Sequence, residues 1–241
     1  MNQQYDSIIF DMDGVLVTND SYRKAIQQTV EAFLWQTKSI RKTVSLEYIE
    51  ALKAITGFNN DWDTSYALIQ LLGNDVPVEN FRQEVSLITT DIRQSASYQD
   101  MQAFFQQVYR GENFNGLIAM ETLLISLDIF AKLQSRYTLG IATSRPREEA
   151  LFAAKNLSVS PTYIPFEYIV AKEDATREKP YPDPILEAKR RMNVSNPIYI
   201  GDTINDTIGA NAAGMPCIFV GTQQLGDFRI ENPNQIVEVL L

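Results

Sequence analysis

From Tyr137 to Gly221 the chain alternates between short β-rich runs and helical patterns, and that order constrains the fold more than any other feature. YTLGIAT (137–143), FEYIVA (166–171), PIYIGD (197–202) and CIFVG (217–221) read as strands. REEALFAAKNL (147–157), PDPILEAKRRM (182–192) and TIGANAAGM (207–215) read as the helices between them. A strand followed by a helix and another strand returns the chain in the same direction, which gives a parallel sheet with helices on both faces. The same texture occurs once more near the start, where Ser7–Asp11 forms an apolar run ending in a carboxylate. Residues 20–110 differ: SYRKAIQQTVEAFLW, SLEYIEALKAI, DTSYALIQLL, VENFRQEVSLITTDI and YQDMQAFFQQVY carry apolar residues mostly at helical spacing, with no convincing strand. ETLLISLDIFAKLQ (121–134) reads as a further helix leading back to the sheet. The expectation is an α/β fold whose parallel-sheet core is interrupted, after its first strand, by an all-helical insert.

Composition narrows the chemistry. The 241 residues include no histidine, which removes imidazole acid–base chemistry, His-based triads and His metal sites. Proton transfer then falls to carboxylates, Lys, Tyr, Cys or water. The single cysteine, Cys217, excludes an internal disulfide. The net charge of −9 without a basic cluster argues against nucleic acid as a partner. No apolar run reaches the roughly 20 residues of a membrane span, and MNQQYDS lacks a signal-peptide pattern. A cytoplasmic protein with no membrane partner is the expectation.

Four short stretches carry candidate chemistry. In SIIFDMDGVLV, Asp11 and Asp13 follow an apolar strand, and the two-residue period of a strand aims both the same way. At the carboxyl end of a parallel strand that direction faces the ligand crevice. Two carboxylates so close repel one another unless a cation lies between them, and hard oxygen donors suit Mg²⁺. Gly14 allows a sharp turn and a close approach to a ligand. The same aspartates also suit the capping of a turn. In IYIGDTIND, Asp202 ends another apolar strand and supplies a third carboxylate, while Asp206 joins the site, caps the next helix (as Thr207 also could), or does both. In REKPYPDP, Lys179 sits among prolines that stiffen its loop, as a phosphate-binding ammonium or a solvated surface lysine. In LGIATSRP, Thr143 and Ser144 end a strand and offer a hydroxyl and N–H groups to a phosphate oxygen. Ser144, with Pro146 behind it, also suits a helix N-cap.

These four signals, in this order, resemble the motifs of the haloacid dehalogenase-like superfamily: DMDGV the first, Thr143 the second, Lys179 the third and GDTIND the fourth. The helical insert resembles the cap of its phosphoglycolate phosphatase and β-phosphoglucomutase subgroup. The resemblance implies a Rossmann-like core (1–18 and 115–241) with a helical cap (19–114). It implies that Asp11 is a nucleophile forming an aspartyl-phosphate, and that Asp13 protonates the leaving oxygen and then activates water. It further implies Mg²⁺ held by Asp11, Asp13 (through its backbone carbonyl) and Asp202. Thr143 and Lys179 bind phosphoryl oxygens, and Asp206 orients Lys179 or a metal-bound water. The dehalogenases of the superfamily lack the second aspartate, so Asp13 points to a phosphate enzyme. A phosphomutase uses the same aspartates. A catalytically idle module would be expected to have lost a motif residue, and none is missing.

The expected partner is a small phosphorylated metabolite. The cap stretch ITGFNNDWDTSYALI contains Asn59, Asn60, Asp61 and Trp62, which form a polar reader with one aromatic wall or else cap and pack a helix. Gly57 is expected to end one helix and Asp61 or Asp63 to start the next. The stretch resembles a subgroup associated with histidine-biosynthesis enzymes, which makes histidinol phosphate a candidate. Carboxylates at 61 and 63 suit a cationic amine. Arg145 suits a second anionic group, as in phosphoglycolate.

Overall fold

The computed structural model describes residues 5–58 and 60–241. Among them six strands form one sheet: β1 (Ser7–Phe10), β2 (Thr138–Ala142), β3 (Ile169–Val170), β4 (Pro197–Gly201), β5 (Cys217–Val220) and β6 (Phe228–Ile230). All pairings are parallel and the order is β3-β2-β1-β4-β5-β6. This is the doubly wound order, and β1 lies where the chain turns from one half of the sheet to the other. Phe10 stands opposite Ile141 of β2 and Ile200 of β4, so three strand ends lie side by side.

The strands are apolar throughout because both faces are covered. Ile8, Phe10, Ile141, Ile198 and Ile200 belong to one buried cluster. Ile9, Ala142, Tyr199 and Cys217 belong to the other, with Ile185, Ala188 and Met192 of the helix Asp183–Met192. Complete burial of a large apolar side chain is worth about 1.5–3 kcal/mol, so the sheet core supplies a large share of the folding drive.

The chain divides into two compact units, one ending at Asn19 and resuming at Glu121, the other spanning Asp20–Met120. The 3₁₀ turn Leu117–Met120 falls in the second unit, whereas the sequence resemblance assigns 115–120 to the sheet core. The second unit is built on the helix Asp20–Lys38, which packs against Asp61–Gly73 and Ala96–Tyr109. Its buried Ala25, Ile26, Val30 and Leu34 recur at helical spacing, and Tyr22 stacks on Tyr109 with ring centroids 4.1 Å apart. No helix among the described residues is long and apolar enough to cross a membrane.

Four elements depart from the sequence reading. VENFRQEVSLITTDI breaks into Val78–Asn80, Phe81–Glu84 and Thr90–Gln94, the last capped by the Thr89 hydroxyl. Of its apolar residues only Phe81 is fully buried, and its β-branched Val, Ile and Thr disfavour a continuous helix. ETLLISLDIFAKLQ is helical only over Leu127–Gln134, because the stretch before it pairs with the segment after β1: Leu124 N–H donates to Leu16 O at 2.8 Å and Thr18 N–H to Thr122 O at 3.1 Å. FEYIVA yields a 3₁₀ turn, Phe166–Tyr168, and the two-residue β3. The helix after β4 is Ile204–Ala212 and starts earlier than expected, because Thr203 rather than Asp206 or Thr207 is its N-cap.

Candidate active site

The strand order gathers residues that are far apart in the chain. Asp11 follows β1, Thr143 follows β2 and Asp202 follows β4, and these three strands are neighbours at the centre of the sheet. Asp11 N–H donates to Ile200 O at 2.8 Å, which ties the end of β1 to the end of β4.

Lys179 is the hub of the buried part. Its ammonium lies 2.8 Å from Asp11 Oδ1 and 2.6 Å from Asp206 Oδ1, and donates to the Tyr199 hydroxyl at 3.1 Å. At 6% exposure it is not a solvated surface lysine. Burial opposes the ammonium, yet the charges of Asp11 and Asp206 prevail and raise its pKa. Both oxygens of Asp206 are engaged. Oδ1 accepts from Lys179 and from Tyr199 at 2.9 Å, and Oδ2 accepts from the N–H of Thr203 at 3.0 Å and from its hydroxyl at 2.5 Å. Burial raises the Asp206 pKa, but Lys179 and these hydrogen bonds outweigh it and hold the carboxyl below the usual range.

Asp11 and Asp202 are pushed the other way. Burial is the largest influence on Asp11; Lys179 opposes it, Asp206 and Asp13 add to it, and the carboxyl is pushed up to about 7. Burial, then the charges of Asp206, Asp11 and Asp13, carry Asp202 well above the carboxylate range. One carboxylate oxygen each from Asp11, Asp202 and Asp206 lies within 4.8 Å of the others. Such an all-oxygen set, with two of its members penalised as anions, fits a hard divalent cation whose charge would relieve the repulsion. Gly14 fits the same purpose. It holds φ +70°, and a Cβ there would lie 1.9 Å from Asp202 Oδ2, so only glycine leaves that carboxylate in place.

Asp13 is half-buried and faces Arg145. Arg145 donates from Nε to Asp13 Oδ2 at 2.9 Å and from Nη2 to Asp13 Oδ1. Its Nη1 donates to Glu121 Oε2 at 2.9 Å. The sequence suits Arg145 to a second anionic group; in the structure its guanidinium is buried and shared between two carboxylates of the protein. Thr143 is buried, and its Oγ1 accepts from the Arg145 N–H at 3.2 Å. Ser144 is not the N-cap of the following helix, which begins at Arg147 with its first N–H received by Glu173. The Ser144 hydroxyl oxygen is buried without a hydrogen-bond partner among the described residues.

Residues 8–220 match the model of a family described as haloacid dehalogenase-like hydrolase. The chain belongs to that family. Within it, 92 residues are 35% identical to pyrophosphatase PpaX of Bacillus pumilus, covering 36% of this chain and 41% of that protein. A stretch of 94 residues is 31% identical to phosphoglycolate phosphatase of Escherichia coli, covering 38% of this chain and 36% of that protein. The chain thus spans about two fifths of the length of the curated relatives it matches. Phosphatase Tt82 from Thermococcus thioreducens has the same fold, with a TM-score of 0.72 at 24% identity over 96% of this chain and 97% of that one.

The cap-stretch residues have local partners inside the helical unit of this haloacid dehalogenase-like chain. Asn60, not Asp61 or Asp63, is the N-cap of Asp61–Gly73, its side chain accepting from the N–H groups of Trp62 and Asp63. The preceding helix ends at Lys53, before Gly57, whose φ is +102°. Asp61 pairs with Lys53 at 2.6 Å, and Trp62 is half-buried. Asp63 is buried and held by Arg93 Nη2 and the Tyr98 hydroxyl, both at 2.6 Å. Asn59 lies outside the described residues.

Sequence reasoning missed Glu121, Tyr199 and Thr203. Glu121 carries no local signal, since its partner Arg145 is remote in the chain. Tyr199 reads as one more apolar strand residue. Thr203 was detectable: Thr203-x-x-Asp206 is the spacing of a capping box, and both reciprocal bonds are made.

Proposed function

We propose that this protein is a Mg²⁺-dependent phosphatase that hydrolyses a small phosphorylated metabolite through an aspartyl-phosphate on Asp11. The observation that carries the reading is the buried Lys179 ammonium bonded to Asp11 and Asp206 beside the Asp11 and Asp202 carboxylates at the carboxyl ends of the central strands. A cation and a carboxylate nucleophile in one dry site are what a transferring phosphoryl group requires. The curated relatives named for phosphatase activity support the same class.

Asp11 forms the bond to phosphorus as the bond to the leaving oxygen breaks, and the proton on Asp13 passes to that oxygen. Water then forms a new bond to phosphorus, the Asp11–phosphorus bond breaks, and the water proton returns to Asp13. Lys179 neutralises charge on the phosphoryl oxygens, and Asp206, Tyr199 and Thr203 hold the Lys179 side of the site rigid. Thr143 and Ser144 are the remaining phosphate contacts. Asp11, Asp202 and the backbone carbonyl of Asp13 would hold Mg²⁺, which neutralises phosphate charge and keeps Asp11 ionised. Asp206, with both oxygens already hydrogen-bonded, serves chiefly to orient Lys179.

Phosphate release from a panel of phosphorylated metabolites, histidinol phosphate and phosphoglycolate included, tests the reading with and without Mg²⁺. Activity is expected to require the metal, and Asp11→Asn to abolish turnover while leaving the fold intact. A metal-independent wild-type enzyme, or an Asp11→Asn protein at near wild-type rate, would refute it.

A further inference from the structure

We propose that Arg145 and Glu121 are positioning residues for Asp13, and that the chain Glu121–Arg145–Asp13 governs how poor a leaving group this enzyme can expel. The inference rests on the phosphatase reading above. The guanidinium of Arg145 meets Asp13 through Nε and Nη2, one donor to each carboxylate oxygen. It meets Glu121 through Nη1 at 2.9 Å and Nη2 at 3.1 Å, again one donor to each oxygen. Two parallel bonds fix the plane of a carboxylate, whereas one bond leaves it free to rotate.

The burial is graded along the chain. The Arg145 and Glu121 side chains are each 1% exposed, and that of Asp13 is 31% exposed. The inner pair is the anchor and the outer carboxylate meets solvent. An ionised arginine so deeply buried needs a counter-charge on its inner side, and Glu121 supplies it. The backbone of Arg145 is fixed as well. Its N–H donates to Thr143 Oγ1 at 3.2 Å, and its carbonyl accepts from the Lys172 N–H at 2.9 Å. Asp13 itself lies beyond β1, in an isolated bridge to Val17 and next to Gly14 at φ +70°, so its carboxylate is aimed by Arg145 rather than by a continuing strand.

The chemistry of the two steps makes this aim matter. The leaving oxygen and the attacking water occupy the same position in turn, opposite Asp11 across the phosphorus. A carboxylate held in one orientation serves both, giving its proton to the first and taking one from the second. Each Asp13 oxygen keeps a lone pair that Arg145 does not use, and that lone pair carries the reacting proton.

The test compares wild type with R145K, which keeps the charge and loses the fork, and with E121Q, which keeps the shape and loses the counter-charge. Thermal unfolding first establishes which variants fold; if R145K does not, E121Q carries the comparison. The value of kcat/KM is measured on glycerol phosphate, whose alkoxide leaves only with a proton, and on p-nitrophenyl phosphate, whose phenolate leaves without one. Because kcat/KM reports steps up to the first irreversible one, the variants are expected to lose about 10- to 100-fold on glycerol phosphate and little on p-nitrophenyl phosphate. A rapid burst of p-nitrophenolate, one per enzyme, is expected in the variants, because the water step is slowed and the covalent intermediate accumulates. An equal loss on both substrates without a burst, or no loss on either, overturns the proposal and leaves the phosphatase reading intact. Wild-type protein that releases phosphate from neither these substrates nor the metabolite panel overturns both.

Discussion

Two glycines provide a matched test of the carboxylate cluster. Gly14 and Gly214 both hold φ +70°, a conformation an alanine enters at a cost of about 1–2 kcal/mol. Around Gly214, just past the helix Ile204–Ala212, an added Cβ would meet nothing within 4 Å. At Gly14 it would lie 1.9 Å from Asp202 Oδ2 and 2.5 Å from Asp202 Cγ. Asp202 is short and anchored at the end of β4, so its carboxylate has to rotate out of the cluster. Gly214→Ala should therefore lower stability by about 1–2 kcal/mol, or about 2–8 °C in Tm for a chain of this size, with no change in metal binding. Gly14→Ala carries the same backbone strain and should also weaken Mg²⁺ binding by about 10- to 100-fold. Part of its strain is offset when no metal is bound, because moving Asp202 away relieves its repulsion with Asp11 and Asp206. The two variants should thus diverge most when Mg²⁺ is present. At saturating metal the weaker site forfeits about 1.4–2.7 kcal/mol of binding-linked stability. Thermal unfolding with and without excess Mg²⁺, beside a calorimetric Mg²⁺ titration, reads both quantities. A Gly14→Ala protein with the wild-type Mg²⁺ response would refute the assignment of Asp202 as a ligand, and an equal loss of affinity in Gly214→Ala would refute the geometric reasoning.

Removing metal with EDTA should abolish phosphate release and Mg²⁺ should restore it, with Ca²⁺ a poor substitute because it takes more ligands at longer distances; the assay is phosphate release on the preferred substrate. Asp63→Ala strands the buried Tyr98 hydroxyl, which now donates to Asp63 at 2.6 Å, and should destabilise the helical unit by about 1–3 kcal/mol in urea titrations. Asn60→Ala removes the N-cap of Asp61–Gly73 and should lower stability by about 0.5–2 kcal/mol, read from the same titration. Glu187 is held down from 4.5 to about 2, first by the hydrogen bonds it accepts from Arg190 and then by the one it accepts from Arg191. A depressed carboxyl stabilises above its unfolded pKa and loses that contribution as pH falls through the folded one, so Glu187→Gln should be less stable than wild type near neutral pH and converge with it toward about pH 2. The gap should stay below about 1 kcal/mol and shrink in high salt, because the pair lies at the surface.

The sequence alone determined the parallel α/β architecture, because buried strands need unbroken apolar runs such as Ile8–Phe10 and Ile198–Ile200, and those runs are local. It determined where Asp11, Thr143 and Asp202 stand for a similar reason: each is the first polar group after a run, and a parallel sheet puts all such groups at the carboxyl ends of its strands. The absence of histidine already confined proton transfer to the carboxylates and a few other groups. What the sequence could not determine is pairing. That Lys179 is a buried bridge between Asp11 and Asp206 rather than a surface charge depends on strand order and on Tyr199 beneath it, none of which its own loop encodes. Arg145 reads as a ligand contact because a guanidinium suits a second anionic group, yet Glu121, 24 residues away in the chain, and Asp13, 132 away, claim its guanidinium. Helix boundaries were decided by similar competition. Leu123 and Leu124 sit in a helical pattern, but the backbone of residues 16–18 offers them strand-like partners once the sheet has formed. Local patterns encode which way a side chain faces; only the packed chain decides which charge waits opposite, because burial makes an unpaired charge too costly to leave alone.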